Sequence, residues 1–249
     1  MTTKRKRSTF YFIGQLSPED LCIKFHPGEI KLGNGLILDI YQHGLAIWIP
    51  GTTQEFSKLK SQALEAVEIV LNTFMLITGG KLNFRLINWV EAKGVVSKKN
   101  TIGFIISHPK IIHRKERSRH SSAWRRIGKH YLRIKRSFYH RIALRDYNNC
   151  MNSSTEDAYF YAFRIIEDIR AATTQHLPKG LKKKDYWDEM HKALGTNESM
   201  LKPLTDVSES VRHGDLKNKS VQKANKDVLR QIAVDVMKKE FKRTFKGLI

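Results

Sequence analysis

Hydrophobic positions recur along this chain with two different periods, and the change of period divides it. Up to about residue 107 the apolar positions read as short strands around one long helix. Residues 29–32, 36–42 and 45–50 are apolar-rich runs separated by Gly33-Asn34-Gly35 and His43-Gly44. Asn and Gly tolerate positive φ, so both junctions predict turns and the three runs predict an antiparallel meander. From about Thr53 to Thr78 the spacing becomes helical: Leu59, Ala63, Ala66, Val67, Val70, Phe74 and Ile77 share one face. Gly79-Gly80 ends that helix. Leu82, Phe84 and Leu86 then alternate as in a strand, and residues 101–106 (TIGFII) form a further apolar strand.

Beyond that point the pattern is helical throughout. Trp124, Ile127, Tyr131, Ile134, Phe138, Ile142 and Leu144 predict a helix over about 122–150, with Gly128 weakening its first turns. The stretch SSTEDAYFYAFRIIEDIRAAT predicts the clearest helix. Ser154 or Thr155 is its cap, Glu156 and Asp157 sit in the first turn, and Tyr159, Ala162, Phe163, Ile166 and Ile169 form its apolar face. Arg164 and Asp168 are spaced as an i,i+4 pair on its other side. Pro178-Lys179-Gly180 breaks the chain before a short helix over 185–194, anchored by Trp187 and closed by Gly195. Leu201, Leu204, Val207 and Val211 share the next helical face. A long basic amphipathic helix over 221–245 runs along Val221, Val228, Ile232 and Val236. The fold class is therefore α+β: an N-terminal antiparallel sheet with one long helix, followed by a C-terminal bundle of four to five helices.

Charge adds what periodicity does not. The 249 residues include 45 Lys+Arg against 24 Asp+Glu, a formal net charge of +21. The excess is concentrated: residues 110–145 hold 13 Lys/Arg against the single Glu116. Such asymmetry points to two parts with different tasks and to a polyanionic partner, nucleic acid before anionic membrane. It places a basic tail at 1–8, an α+β domain at 9–107, a basic linker at 108–122 and the bundle at 123–249. No apolar run approaches the roughly 20 residues of a membrane span, and the first residues lack the apolar core of a signal peptide. Cys22 and Cys150 have neither disulfide-framework nor zinc spacing. The expectation is a cytoplasmic protein with no metal and no cofactor. Gly33-x-Gly35 opens a strand rather than a helix, which argues against a dinucleotide loop.

Two sets of residues carry candidate chemistry. Along the helix from residue 122, Trp124, Arg125, Arg126, Lys129, Arg133, Arg136 and Arg141 interleave cations with an aromatic side chain. That composition suits phosphate contacts and base stacking, and it equally fits a core helix with a basic outer face. As a membrane-surface helix it is weaker, because its aromatic and Arg positions do not form one clean face. The second set lies in SESVRHGD, residues 208–215. A helical wheel turns His213 away from the face of Leu201, Leu204, Val207 and Val211, with Arg212 on the flank. Gly214 is placed to end the helix, and Glu209 lies one turn before His213. Imidazole moves protons near neutral pH and guanidinium holds phosphate oxygens, so Arg212 and His213 suit phosphodiester chemistry. The competing reading is a surface His at a helix end beside an Arg that covers apolar surface.

The order of features, a basic helix, then YFYAFRIIEDI, then a Trp-anchored short helix, then SVRHGD closing a helix, resembles the HEPN superfamily of helical bundles over about residues 125–245. The resemblance implies a metal-independent endoribonuclease of defence or toxin type, RNA as the partner and a site built across a homodimer. It also implies an Arg separated from the His by four to six intervening residues. His213-Gly214 matches the end of that motif, whereas Ser208, Val207 and Asp206 occupy the places of the Arg. Either Arg212 substitutes for it, or the bundle binds nucleic acid, or acts as a scaffold, without cutting. Glu167 and Arg164, from the long central helix, are candidates to line the same cleft as Arg212 and His213; the competing reading is an exposed ion-pair face.

Overall fold

The computed structural model describes residues 8–18, 28–40, 44–79, 82–93 and 114–249. The basic run Lys4–Arg7, Cys22, the turn residue His43, the strand expected at 101–106 and residues 108–113 of the expected linker lie outside the described residues. The chain is α+β and forms two compact units, Met1–Leu132 and Arg133–Ile249.

The first unit is built on an antiparallel sheet of β1 (Ser8–Pro18), β2 (Gly28–Gly33), β3 (Leu36–Ile40), β4 (Gly44–Gly51) and β5 (Leu82–Lys93), in the order β2-β3-β4-β1-β5. The expected meander is β2-β3-β4, and its first turn places Asn34 at φ 52° and Gly35 at φ 75°. Periodicity does not single out β1, although it pairs with both β4 and β5. The reason is burial on both faces: Phe10, Tyr11 and Phe12 are all buried, so no polar alternation marks the run. Residue 8, expected in the tail, already pairs with Gly51. Helix α1 (Phe56–Thr78) covers one face of the sheet, with the Phe56 ring centroid 6.1 Å from Phe10, 5.9 Å from Phe12 and 4.3 Å from Trp89.

Helix α2 (Arg114–Arg136) makes the second half of the expected linker helical. Its early part packs in the first unit, where Gly128 has a purpose beyond weakening a helix. A Cβ there would lie 2.8 Å from Ile30 Cγ2 and 3.3 Å from the Lys31 carbonyl oxygen, so only glycine lets α2 approach β2 this closely. The single helix expected over 122–150 is two. Ser137 takes an extended backbone (φ −88°, ψ 106°) and α3 (Phe138–Asn152) begins after it.

The second unit adds α4 (Thr155–Thr174), α5 (Lys183–Leu194), α6 (Glu198–Arg212), the short α7 (Lys219–Lys223) and α8 (Lys226–Thr244). Helix α4 is central and packs against α3, α5, α6 and α8, burying Ala162, Ile165, Ile166 and Ile169. The last helix starts later than its sequence pattern indicates. Asn225 Oδ1 accepts the Asp227 and Val228 N–H groups at 2.9 and 3.3 Å, an N-cap that sets the helix phase. Leu229, Ala233, Val236, Met237 and Phe241 then turn inward, while Val228 from the expected stripe is 53 % exposed.

Three of these helices meet at a buried carboxylate. Glu240 on α8 is 0 % exposed. Its Oε1 lies 3.2 Å from His140 Nε2 on α3 and accepts from Thr244 Oγ1 at 2.7 Å. Its Oε2 accepts from Arg243 Nε at 2.7 Å and from Thr173 Oγ1 on α4 at 3.3 Å. An ionised carboxylate only accepts, so Nε2 carries the His140 proton toward it. The other ring nitrogen, Nδ1, lies 2.6 Å from the Ser137 hydroxyl oxygen. That contact draws the Ser137 side chain inward at the break between α2 and α3.

Burial opposes the Glu240 charge, but hydrogen bonds from His140, Arg243 and Thr244 outweigh it and hold the pKa at about 2. With the folded pKa below the unfolded one, the stabilisation is fully present above the ordinary value of 4.5 and is lost as pH falls toward about 2. Glu240→Ala leaves His140 and Arg243 without their acceptor and should cost about 3–5 kcal/mol in urea denaturation at neutral pH, with a shallower acid limb. Exposed Asp235→Ala should change stability by less than about 0.5 kcal/mol.

Candidate functional site

The site is built inside the second unit, where α4, α5 and α6 enclose a cavity of about 920 Å³. Helix α4 contributes Phe160, Phe163, Arg164 and Glu167, spaced i, i+3, i+4 and i+7 along a single stripe. Helix α5 contributes Lys183, Lys184, Trp187, Asp188 and His191. Helix α6 closes the far side with Ser208, Glu209 and Arg212 among its lining residues. The lining thus combines four cations, several carboxylates, an imidazole and an aromatic wall.

The corner between α5 and α6 is fixed by local chemistry. Gly195 ends α5 in the left-handed region at φ 58°. Asn197 caps α6 by accepting the Met200 N–H at 2.9 Å. Between them Thr196 Oγ1 lies 2.9 Å from His191 Nδ1, and the Thr196 N–H donates to the His191 carbonyl. One ring nitrogen of His191 is thereby engaged, and Nε2 has no partner among the described residues. Trp187 presents one face to the Arg170 guanidinium at 5.0 Å.

The SVRHGD end of α6 is a Schellman turn. The Gly214 N–H donates to the Val211 carbonyl at 3.0 Å and the Asp215 N–H to the Ser210 carbonyl at 2.9 Å, with Gly214 at φ 74°. This geometry separates the two residues of the expected catalytic pair. Arg212 lines the cavity, as does Glu167, so the structure brings those two together. His213 is the exposed C-cap and does not line the cavity. Glu209 turns to the cavity too, and no ion pair joins it to His213 among the described residues. The histidine that shares the cavity with Arg212 and Glu167 is His191.

The basic set along α2 and α3 is divided among several tasks. Trp124 is 3 % exposed and stacks on Phe74 at 3.9 Å with planes 10° apart, so the stacking expected with a base is made inside the first unit instead. Arg125 and Lys129 are exposed, and Arg126 is half-buried. In the second unit Arg133 donates to the Thr244 carbonyl at 2.8 Å and lies over the Phe245 ring, closing the end of α8. Arg136 is exposed and Arg141 half-buried.

A carboxyl pair lies behind the cavity wall. Arg164 does not take Asp168 as its closest partner: its Nε lies 2.9 Å from Asp146 Oδ2 on α3. Asp146 is 1 % exposed. Burial pushes its carboxyl above the ordinary carboxylate range, with Arg164, Arg145 and a hydrogen bond to Asp168 opposing. Asp168 is pushed further, to about 7, by burial and then by the Asp146 charge. Among the described residues no group of His, Cys, Asp and Glu is placed to hold a metal ion.

Sequence reasoning did not select Lys183, Lys184, His191 or Asp146. The lysines sit in an ordinary-looking LKKKD run. His191 and Asp146 become notable only once α5 and α3 are set against α4.

A family model described as the C-terminal domain of DUF8168, a domain of unknown function, matches residues 112–243, more than half of the chain. The chain belongs to that family. No curated protein and no solved structure matches it.

Trp124 and Arg125 separate packing from surface charge. Trp124→Ala removes a buried ring and should destabilise the protein by about 3–5 kcal/mol in urea denaturation. Arg125→Ala should leave stability within about 0.5 kcal/mol.

Proposed function

We propose that this DUF8168-family chain is a cytoplasmic RNA-binding protein whose C-terminal bundle takes a phosphate of the RNA backbone into the cavity between α4, α5 and α6. The observation that carries this reading is the convergence of Arg164, Lys183, Lys184 and Arg212 on one cavity walled by Phe160 and Trp187. Guanidinium groups match phosphate oxygens, and aromatic walls beside them accept nucleotide bases. The concentration of positive charge in residues 110–145 supports the same partner by drawing a polyanion toward the molecule.

A second reading, metal-independent cleavage as the HEPN resemblance implies, is favoured by Glu167 and His191 lining the cavity that holds Arg212. In that reaction the ribose 2′-oxygen attacks phosphorus and the bond to the 5′-oxygen breaks. The products are a 2′,3′-cyclic phosphate and a 5′-hydroxyl. One group takes the 2′-proton, another returns a proton to the 5′-oxygen, and Arg212 stabilises the charge on the phosphate between them. His191 and Glu167 are the proton carriers in this assignment. His213 has the surface role of closing α6.

Fluorescence anisotropy with a labelled single-stranded RNA tests the binding. Affinity should fall with salt with a log–log slope of roughly −3 for about four neutralised phosphates. Arg212→Ala should weaken it about tenfold, the loss of one charge-assisted contact. Binding that ignores salt and survives Arg212→Ala unchanged defeats the assignment. Incubating RNA with the protein in EDTA tests cleavage: His191→Ala or Glu167→Gln should abolish it with RNA binding retained, and His213→Ala should not. Loss of cleavage in His213→Ala alone would return the catalytic role to the helix end.

A further inference from the structure

Arg164 faces the cavity on one side and a buried acid cluster on the other. Its Nε lies 2.9 Å from Asp146 Oδ2, and its guanidinium carbon is 5.6 Å from the centroid of the Phe160 ring. The ion pair is close but not aligned: Asp146 Oδ2 accepts no hydrogen bond among the described residues. Arg164 is therefore held by charge more than by directed bonding, and its hold varies with the charge behind it. That charge is variable, because Asp168 on α4 sets its carboxyl against Asp146 within hydrogen-bonding reach. Asp168 Oδ2 is buried and has no hydrogen-bond partner among the described residues.

We propose that Asp146 and Asp168 share one proton, and that this proton sets how firmly Arg164 is drawn against α3 and so how available it is to a phosphate in the cavity. The inference rests on the cavity reading above. With the proton in place the pair carries one negative charge, matched by Arg164. Without it two buried negative charges face the same guanidinium. The nearest further cation, Arg145, is 4.0 Å from Asp146 and half exposed to solvent, so it compensates weakly. Two like charges this close do not both ionise at their ordinary values. Burial and the neighbouring Asp146 accordingly push Asp168 up to about 7, with Arg164 opposing.

Glu167 adds a further negative charge from α4. Cys150 lies on the Asp146 side of α3, and Arg230 of α8 caps the Cys150 carbonyl at 2.7 Å. Asp188 and His191 of α5, and Glu209 and Arg212 of α6, face the cavity that Arg164 lines. His191 shares the cavity with Arg164, so it needs its own control.

The sign follows from the direction of the shift. A carboxyl whose folded pKa is raised is protonated below about 7. Arg164 is then least restrained, and RNA binding is strongest. Above that value the dianionic pair pulls Arg164 into the wall. The folded state also loses stability as pH rises through the same range.

The test measures two properties in parallel. Anisotropy with a short fluorescein-labelled oligouridylate, from about pH 5.5 to about pH 8.5, reads availability. Wild-type affinity should fall about tenfold across this range, the linkage of one pKa unit. Asp168→Asn, which keeps the shape of the protonated acid, should bind with the low-pH affinity throughout, and His191→Gln should keep the wild-type dependence. Independently of RNA, the ¹⁵N resonance of Arg164 Nε, assigned with Arg164→Lys, should show an inflection near pH 7 that Asp168→Asn removes. No inflection in the wild type, or an inflection that persists in Asp168→Asn, overturns the proposal. Equal pH dependence of binding in wild type and Asp168→Asn, or its loss in His191→Gln, overturns it as well. An inflection abolished by Asp168→Asn in a protein that does not bind the oligouridylate establishes the shared proton and defeats the RNA assignment alone.

Discussion

The buried carboxylate of Glu240 is the constraint around which the second unit is arranged. A charge with no solvent contact is tolerable only when donors surround it. The donors here come from three helices: His140 from α3, Thr173 from α4, and Arg243 with Thr244 from α8 itself. Satisfying one group therefore fixes the approach of three elements. The rings of Phe241 and Phe245 seal the arrangement, their centroids 5.2 and 4.9 Å from the His140 ring. Ser137, bonded to His140 Nδ1, carries the constraint to the start of α3.

Helix α4 transmits this order to the cavity. One stripe of it, with Ala162, Ile165, Ile166, Ile169 and Thr173, is buried in the core and ends at Glu240. The adjacent stripe, with Phe160, Phe163, Arg164 and Glu167, lines the cavity. The opposite wall is tied back to α8 by Lys239, whose Nζ donates to the Gly195 carbonyl at 3.0 Å, at the corner where α5 gives way to α6. His191, Thr196 and Asn197 sit at that corner. Both walls are thus anchored to the helix that carries Glu240.

The sequence reveals whatever depends on local pattern and conceals whatever depends on which elements meet. The β2–β3 turn, the end of α1, the α4 apolar face and the role of Gly214 follow from spacing and φ preference, and the structure contains each. Strand β1 escapes because burial on both faces erases the alternation that marks a strand. Arg164 and Asp168 have ideal helical spacing, yet Arg164 lies against Asp146, a buried carboxylate that α3 brings within 2.9 Å of its Nε. SVRHGD drew a chemical reading because Arg and His are adjacent in it. In space a Schellman turn sends Arg212 to the cavity and His213 to the surface. The histidine that accompanies Arg212 comes from a different helix and has no motif around it.

Formal charge and available charge also differ here. Arg133 closes the end of α8, Arg230 caps the carbonyls at the end of α3, and Arg243 neutralises Glu240. Arg170 covers Trp187, and Arg164 is shared between a carboxyl pair and the cavity. Each carries its full charge in the net +21, and each is partly committed inside the protein. The long-range field that attracts a polyanion counts all of them, since attraction at a distance depends on total charge. Close contact counts only those with unspent donors facing outward, such as Arg125, Lys129 and Arg136 on the surface and Lys183, Lys184 and Arg212 at the cavity. In the proposed function a chain this basic attracts nucleic acid through its total charge and holds it through a small set of side chains. The cavity is where cations, aromatic faces and proton-carrying groups coincide, which is why the chemistry is assigned there rather than to the most basic stretch of the sequence.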